Sequence, residues 1–220
     1  MALPGPGRLT RIIASIAAAL VTLTAVAVSA GATKPQLHSA TYRDRLGEDT
    51  QAPDIRKAVV SHDGRAMTFR MLLANRPDLT PDMGLQIVID SDRRQATGNQ
   101  SLVYSLGADY LIQMLGGEAR LLRWDRAART WKSASAQPTW SYGNGSATIR
   151  LPASVMKRPP DFLFEVSAAS GLIDDGDGTL DITNAHFDFA PDAGRGGWRY
   201  RVRLQRQTDR VILLRGCRPQ

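Results

Sequence analysis

Asp90 and Asp92 are the pair of residues in this 220-residue chain whose type and spacing speak first for chemistry. They stand two positions apart, so on extended backbone both carboxylates leave the same face, and Thr97-Gly98 closes a polar loop behind them. Carboxylates so placed can take a hard cation such as Ca²⁺, which wants about six to eight oxygens from carboxylates, carbonyls and water. Two carboxylates alone are too few, and the competing account is that both cap turns by accepting backbone N–H groups. A second acidic run, Asp174-Asp175-Gly176-Asp177-Gly178-Thr179-Leu180-Asp181, fails as an EF-hand loop. A frame beginning at Asp175 puts Leu180 where glycine is required and His186 where the bidentate Glu belongs. It reads either as another kind of calcium loop or as a flexible acidic turn. Glycosidases also use paired carboxyls, about 5 to 10 Å apart across a cleft, but the acids here form no distinguishing pattern for that work. There is no Gly-x-Ser-x-Gly elbow and no His-Glu-x-x-His helix. His38, His62 and His186 are scattered, and the single Cys217 has no base beside it. A noncatalytic protein is expected.

The second chemical feature is aromatic. Trp124, Trp131, Trp140, Tyr142 and Tyr104 gather in the middle third of the chain, and exposed rings of this kind offer an apolar face with a polar tip, which suits stacking against sugars. Trp124 and Trp131 flank a turn over 125–130 and can form a platform at one rim; the alternative is that they pack into the core. Trp198 and Tyr200 share a strand face with Val202 and Leu204 and are assigned to the core.

The third feature is charge. Of the net +7, Arg8 and Arg11 contribute at the N-terminus, and residues 198–220 hold seven arginines against one acid, Asp209. The body between them is near neutral, so the basic balance argues for no nucleic-acid partner. Arg199, Arg201 and Arg203 alternate with the core-facing residues of their strand. Such a stripe either meets an anionic polymer or partner protein or is a solvated strand face.

These residues must be positioned by strands. Met67, Phe69, Met71 and Leu73 alternate with Thr68, Arg70 and Leu72, the period of two that turns one face to a core. Residues 55–60 and 66–73 flank Asp63-Gly64, a hairpin signal. Residues 84–89 are nearly apolar throughout and read as a central strand. Residues 110–115 and 120–124 join across Gly116-Gly117, a short strand opens at Trp131, and 139–142 pairs with 147–151 around Asn144-Gly145. Residues 153–157 suggest one helical turn before Pro159-Pro160, and strands follow around Phe162, Phe164 and Val166 and over 198–204. About nine or ten strands, with turn signals between them, predict an all-β antiparallel sandwich, jelly-roll or immunoglobulin-like. With 43% apolar residues the chain can bury a sizeable core, and one cysteine means no internal disulfide supports it.

Ahead of the strands, Arg8 and Arg11 precede an apolar stretch over 12–30 that ends in small residues. That is the layout of a secretory signal peptide over 1–32, preceding a secreted mature chain of about 190 residues. An uncleaved signal anchor, which would tether the protein to a membrane, is the alternative. Residues 33–49 read as an extended lead-in, 50–204 as the sandwich and 205–220 as a basic C-terminal segment.

Several phrases taken in order resemble exported bacterial β-sandwich domains similar to the family 9 carbohydrate-binding modules and the DOMON-like superfamily. They are Ala52-Pro53-Asp54-Ile55, Asn75-Arg76-Pro77, Ile89-Asp90-Ser91-Asp92, Gly107-Ala108-Asp109-Tyr110, Arg123-Trp124-Asp125, and Ala190-Pro191-Asp192 with Trp198 and Tyr200. The resemblance implies a noncatalytic module, with polysaccharide as one ligand class. It also places Asp54 and Asp109 at loop or strand-edge positions, where they can join Asp90 and Asp92 around a structural Ca²⁺ that ties loops together. The expectation is an exported binding module for polysaccharide. Its rival is a cell-envelope structural domain that contacts anionic wall polymer or a partner protein through its arginine-rich end.

Overall fold

The structure, a computed structural model, describes residues 37–100, 106–156, 161–174, 180–192 and 196–201. The expected signal peptide over 1–32, the basic segment over 205–220, Tyr104 and Arg203 lie outside the described residues. In chain order the strands are β1 (His38–Arg43), β2 (Ile55–His62), β3 (Ala66–Leu73), β4 (Gly84–Asp90), β5 (Tyr110–Leu115), β6 (Glu118–Asp125) and β7 (Thr130–Ser133). They continue with β8 (Thr139–Gly143), β9 (Ser146–Pro152), β10 (Asp161–Ser170), β11 (Ile173–Asp174), β12 (Leu180–Asp181), β13 (His186–Ala190) and β14 (Trp198–Arg201). Among the described residues one short 3₁₀ turn, Gln95–Thr97, interrupts the β structure.

The strands form the expected all-β antiparallel sandwich. One sheet runs β1-β2-β3-β9-β8; the other runs β13-β10-β4-β5-β6-β7, with β14 also pairing β10. The second sheet holds seven strands because β10, ten residues long, pairs β14 along its first half and β13 along its second. Strand β4 lies between β10 and β5 with Leu85, Ile87, Val88 and Ile89 all buried, as its unbroken apolar run predicts for a central strand. Between the sheets, Phe69 of β3 meets Phe162 and Phe164 of β10 at ring-centroid distances of 6.1 and 6.0 Å. Tyr200 is buried against Phe162, and Trp198 packs against the same core by stacking on Tyr42. Aromatic pairs of this kind add to the area they bury.

The three hairpins fall where turn chemistry places them. Gly64 has φ +85, Gly116 and Gly117 have φ +57 and +84, and Asn144-Gly145 has φ +50 and +67, the left-handed conformations such turns demand. Two elements differ from the sequence reading. Residues 38–43, read as part of an extended lead-in ahead of the sandwich, are an edge strand in register with β2, with His38, Ala40 and Tyr42 turned inward. The sandwich therefore begins at His38. Residues 153–156 make a turn closed by Val155 N–H donating to Pro152 O at 3.0 Å rather than a helical turn. Among the described residues no helix is long and apolar enough to cross a membrane.

Candidate functional site

Asp90 ends β4 and is 1% exposed, and β5 begins one residue after Asp109. Asp109 N–H donates to Ile89 O at 2.8 Å, so the two acids sit side by side across the ladder. Ser91 then donates both its N–H and its hydroxyl to Asp109 Oδ2, at 2.9 and 2.6 Å. Arg94 N–H donates to Asp92 Oδ1 at 2.9 Å and lies 3.2 Å from Asp90 Oδ1, and Thr97 Oγ1 donates to the Asp92 carboxylate. The outcome is that Asp90, Asp92 and Asp109 each bring a carboxylate oxygen within 4.8 Å of the others. Burial pushes the Asp90 carboxyl up to about 6, and repulsion from Asp109 and Asp92 adds to it.

Asp54 does not join them. It opens β2 from the far side of the sandwich, where its carboxylate accepts Gly47 N–H at 3.3 Å and its own N–H donates to Asn75 Oδ1 at 2.8 Å. There it neighbours a second acidic group that the sequence reading missed. Asp44, Glu48 and Asp192 bring oxygens within 4.8 Å of one another, and Asp188, 5% exposed, lies beside them and accepts Ile55 N–H. Asp44 Oδ2 is fully buried with no hydrogen-bond partner among the described residues. Burial, reinforced by Asp188, Glu48 and Asp192, pushes the Asp44 carboxyl up to about 7. Glu48 and Asp188 are raised too, again chiefly by burial. The one sequence signal for this group was Asp192 in the Ala190-Pro191-Asp192 phrase; its partners are about 145 residues earlier and meet it only through sheet packing.

The aromatic candidates separate in the same way. Trp124 and Trp131 are directly opposed on β6 and β7. Their rings meet edge to face, 5.2 Å apart at 63°, rather than forming one flat platform. Trp131 packs on an apolar cluster of Val88, Ala108, Leu111 and Leu122, on the side of its sheet turned away from the main core. Trp124 remains half-exposed and lines two neighbouring cavities. The first, about 730 Å³, lies between the β6–β7 edge and the turn after β9, with Arg123, Lys132, Ser133 and Ser154 in its walls. The second, about 670 Å³, lies between Trp124 and the acidic loop, against Thr97, Gly98 and Arg129. Trp124 and Arg126 are common to both, so the two form one groove, and each is of a size that ligand sites adopt. Trp140 and Tyr142 are elsewhere: both pack on the core from β8, and Tyr142 Oη donates to Arg76 O at 2.6 Å.

The acidic loop and the groove share a wall. Trp124 N–H donates to Asp109 O at 2.9 Å, and Asp92 holds Thr97, which faces the second cavity. The loop is pressed against its neighbour closely enough that a Cβ on Gly98 would lie 2.2 Å from Gly107 C, and one on Gly107 would lie 2.4 Å from Gln95 O. Only glycine fits at such backbone contacts. Asn99 and Ala108 seal them with reciprocal N–H···O bonds of 2.9 Å.

Of the arginine stripe, Arg199 is already engaged, donating from Nε and Nη2 to the two Asp161 oxygens. That fork holds the Asp161 carboxyl below the usual range. Arg201 is exposed. A β-sandwich with a groove at one sheet edge and an oxygen-rich loop beside it is the class of protein these features define. Set against family models, curated proteins and solved structures, the chain matches none.

Proposed function

We propose that the protein is a noncatalytic exported binding module that holds a polysaccharide in the groove at Trp124, with a structural Ca²⁺ bracing the groove's acidic wall. The observation that carries the reading is the position of Trp124: a half-exposed indole lining two adjoining cavities with polar side chains in their walls, the arrangement in which a ring can stack on a sugar while polar groups meet its hydroxyls. Asp125 is the one carboxylate among the described residues lining either cavity. It is committed to Lys132 and to the Ala127 and Ala128 N–H groups, which favours holding a glycan over hydrolysing it. Export is read from the Arg8/Arg11 and 12–30 pattern.

Asp90, Asp92 and Asp109 suit the cation chemically, since an all-oxygen donor set matches Ca²⁺ and not a soft metal. Backbone carbonyls and water would complete the shell. Its effect would be to offset the repulsion among three close carboxylates and so fix Thr97 and Gly98 in the wall.

Affinity electrophoresis of the full chain in gels containing individual polysaccharides tests the binding reading. Retardation that Trp124→Ala abolishes and Trp140→Ala preserves is the expected result; migration indifferent to every polysaccharide sinks the proposal. For the ion, Ca²⁺ at 100-fold over its dissociation constant should raise unfolding free energy by about 2.7 kcal/mol, and Asp90→Asn should remove that gain. Equal melting in Ca²⁺ and chelator would mean that the aspartates serve the loop alone.

A further inference from the structure

The groove that the preceding proposal assigns to polysaccharide is lined, among the described residues, by four cations and one acid, Asp125. Arg123, Arg126, Arg129 and Lys132 line it, and all four are exposed. Only Lys132 has a carboxylate partner, Asp125 at 2.5 Å; among the described residues none of the three arginines makes an ion pair. Asp125 is itself held at about 2, first by the Lys132 hydrogen bond, and so stays ionised.

The positions of these cations are unfavourable for the hairpin. Arg123 and Lys132 are directly opposed across the β6–β7 ladder, where like charges weaken pairing. Arg126 and Arg129 add two more in the connecting turn, and Arg129 sits there at φ +50, a conformation few non-glycine residues adopt. Asp125 shapes the turn by accepting Ala127 and Ala128 N–H at 2.9 and 3.0 Å. Thus the one acid present organises the backbone and offsets one cation, leaving Arg126 in both cavities beside Trp124, Arg129 in the second, and Arg123 in the first on the opposite face of β6. A neutral glycan would gain from Trp124 and the serines but would leave those guanidinium groups to water. Carboxylate or sulfate oxygens match the guanidinium fork in pairs.

We propose that the ligand is a polysaccharide bearing carboxylate or sulfate groups, its sugar stacked on Trp124 and its anions met by Arg123, Arg126 and Arg129. This rests on the polysaccharide reading of the same groove and deepens it. Arg126, shared by the two cavities, is the central contact.

The experiment is affinity electrophoresis of the full chain against polygalacturonate, dextran sulfate, neutral dextran and poly-glutamate, repeated as salt is raised. Retention by one or both anionic polysaccharides should exceed that by dextran by ~10-fold or more, equivalent to about 1.4 kcal/mol, and should weaken with salt. Which of the two is preferred identifies the anion. The Arg123→Ala/Arg126→Ala double variant should lose most of that preference, while Arg201→Ala, an exposed arginine outside the groove, should keep it. Equal retention by dextran overturns the anionic assignment and leaves the polysaccharide reading standing. Poly-glutamate held as tightly as the glycans would mean charge without sugar, and both readings fall. Loss with Arg201→Ala but not with the groove variant puts the contact at the arginine stripe and overturns the site.

Discussion

Replacing Asp188 separates two effects that the wild-type side chain combines. Asp188 joins the sheets: it stands on β13 of one and accepts the N–H of Ile55, 0% exposed, at the start of β2 in the other. It also adds a negative charge beside Asp44, Glu48 and Asp192. Asp188→Ala leaves the Ile55 donor buried without its acceptor, a loss of about 1–3 kcal/mol. Asp188→Asn keeps an oxygen acceptor of the same shape and removes the charge. The Asn variant should therefore be more stable than the Ala variant by about 1–3 kcal/mol at any pH. At about 2–4 °C per kcal/mol for a domain of this size, that is a Tm difference of roughly 2–12 °C.

The wild type should move between the two variants with pH. Because burial raises the folded-state value of Asp188 above the ordinary 3.8, the folded protein holds that proton more tightly than the unfolded chain. Its contribution is full in acid and falls as pH rises through the raised value. The same sign holds for Asp44, with its value of about 7, so the loss extends from about pH 4 to neutrality. Near pH 4 the wild type should match Asp188→Asn; near pH 8 it should be the less stable of the two. Urea denaturation of all three proteins in chelator, at both pH values, reads both effects. Asn and Ala variants of equal stability would refute the hydrogen-bond argument, and a wild-type-to-Asn difference that ignores pH would refute the charge argument.

Gly107→Ala forces a Cβ to within 2.6 Å of Gln95 and Arg94 backbone atoms; urea midpoints should report a loss of about 1–3 kcal/mol, and an unchanged midpoint would contradict the close contact. Tyr142→Phe removes the donor to Arg76 O and should lower stability by about 1 kcal/mol in chemical denaturation while leaving glycan retention as it was. Asp161 runs opposite in sign to Asp188: Arg199 holds it below the usual carboxylate range, so its contribution is present at neutral pH and lost as pH falls through the lowered value. Asp161→Asn should accordingly flatten the acid limb of the stability curve, and an unaltered limb would show that the fork adds nothing.

Most of the fold is legible because its signals are local. The alternation in β3 and the Asp63-Gly64, Gly116-Gly117 and Asn144-Gly145 steps each specify face or turn within a few residues. β1 escapes notice because its inward residues, His38, Ala40 and Tyr42, differ little in polarity from their neighbours. β13 inverts the rule: Asp188 is buried while Phe187 is 38% exposed, so a pattern reading finds no core-facing side. The site divides along the same line. Asp90 and Asp92 are visible because a strand end places them together; Asp109 enters only through the resemblance, and it is the β4–β5 ladder that sets it beside Asp90. Asp54 is sent elsewhere by its bonds to Gly47 and Asn75, and Trp140 and Tyr142 are drawn to the core. The groove depends on the turn after β9 meeting the β6–β7 edge, a juxtaposition encoded in no single segment.

The backbone contact between Gly98 and Gly107 would bear on how fast the proposed ligand is taken up. A wall held by main chain against main chain, sealed by the Asn99–Ala108 bonds, has spent its ordering entropy during folding and owes none on association. For the proposed glycan, these contacts would need no rearrangement on binding, so related glycans would differ mainly in dissociation. Selectivity among glycans would show itself in how long each remains bound.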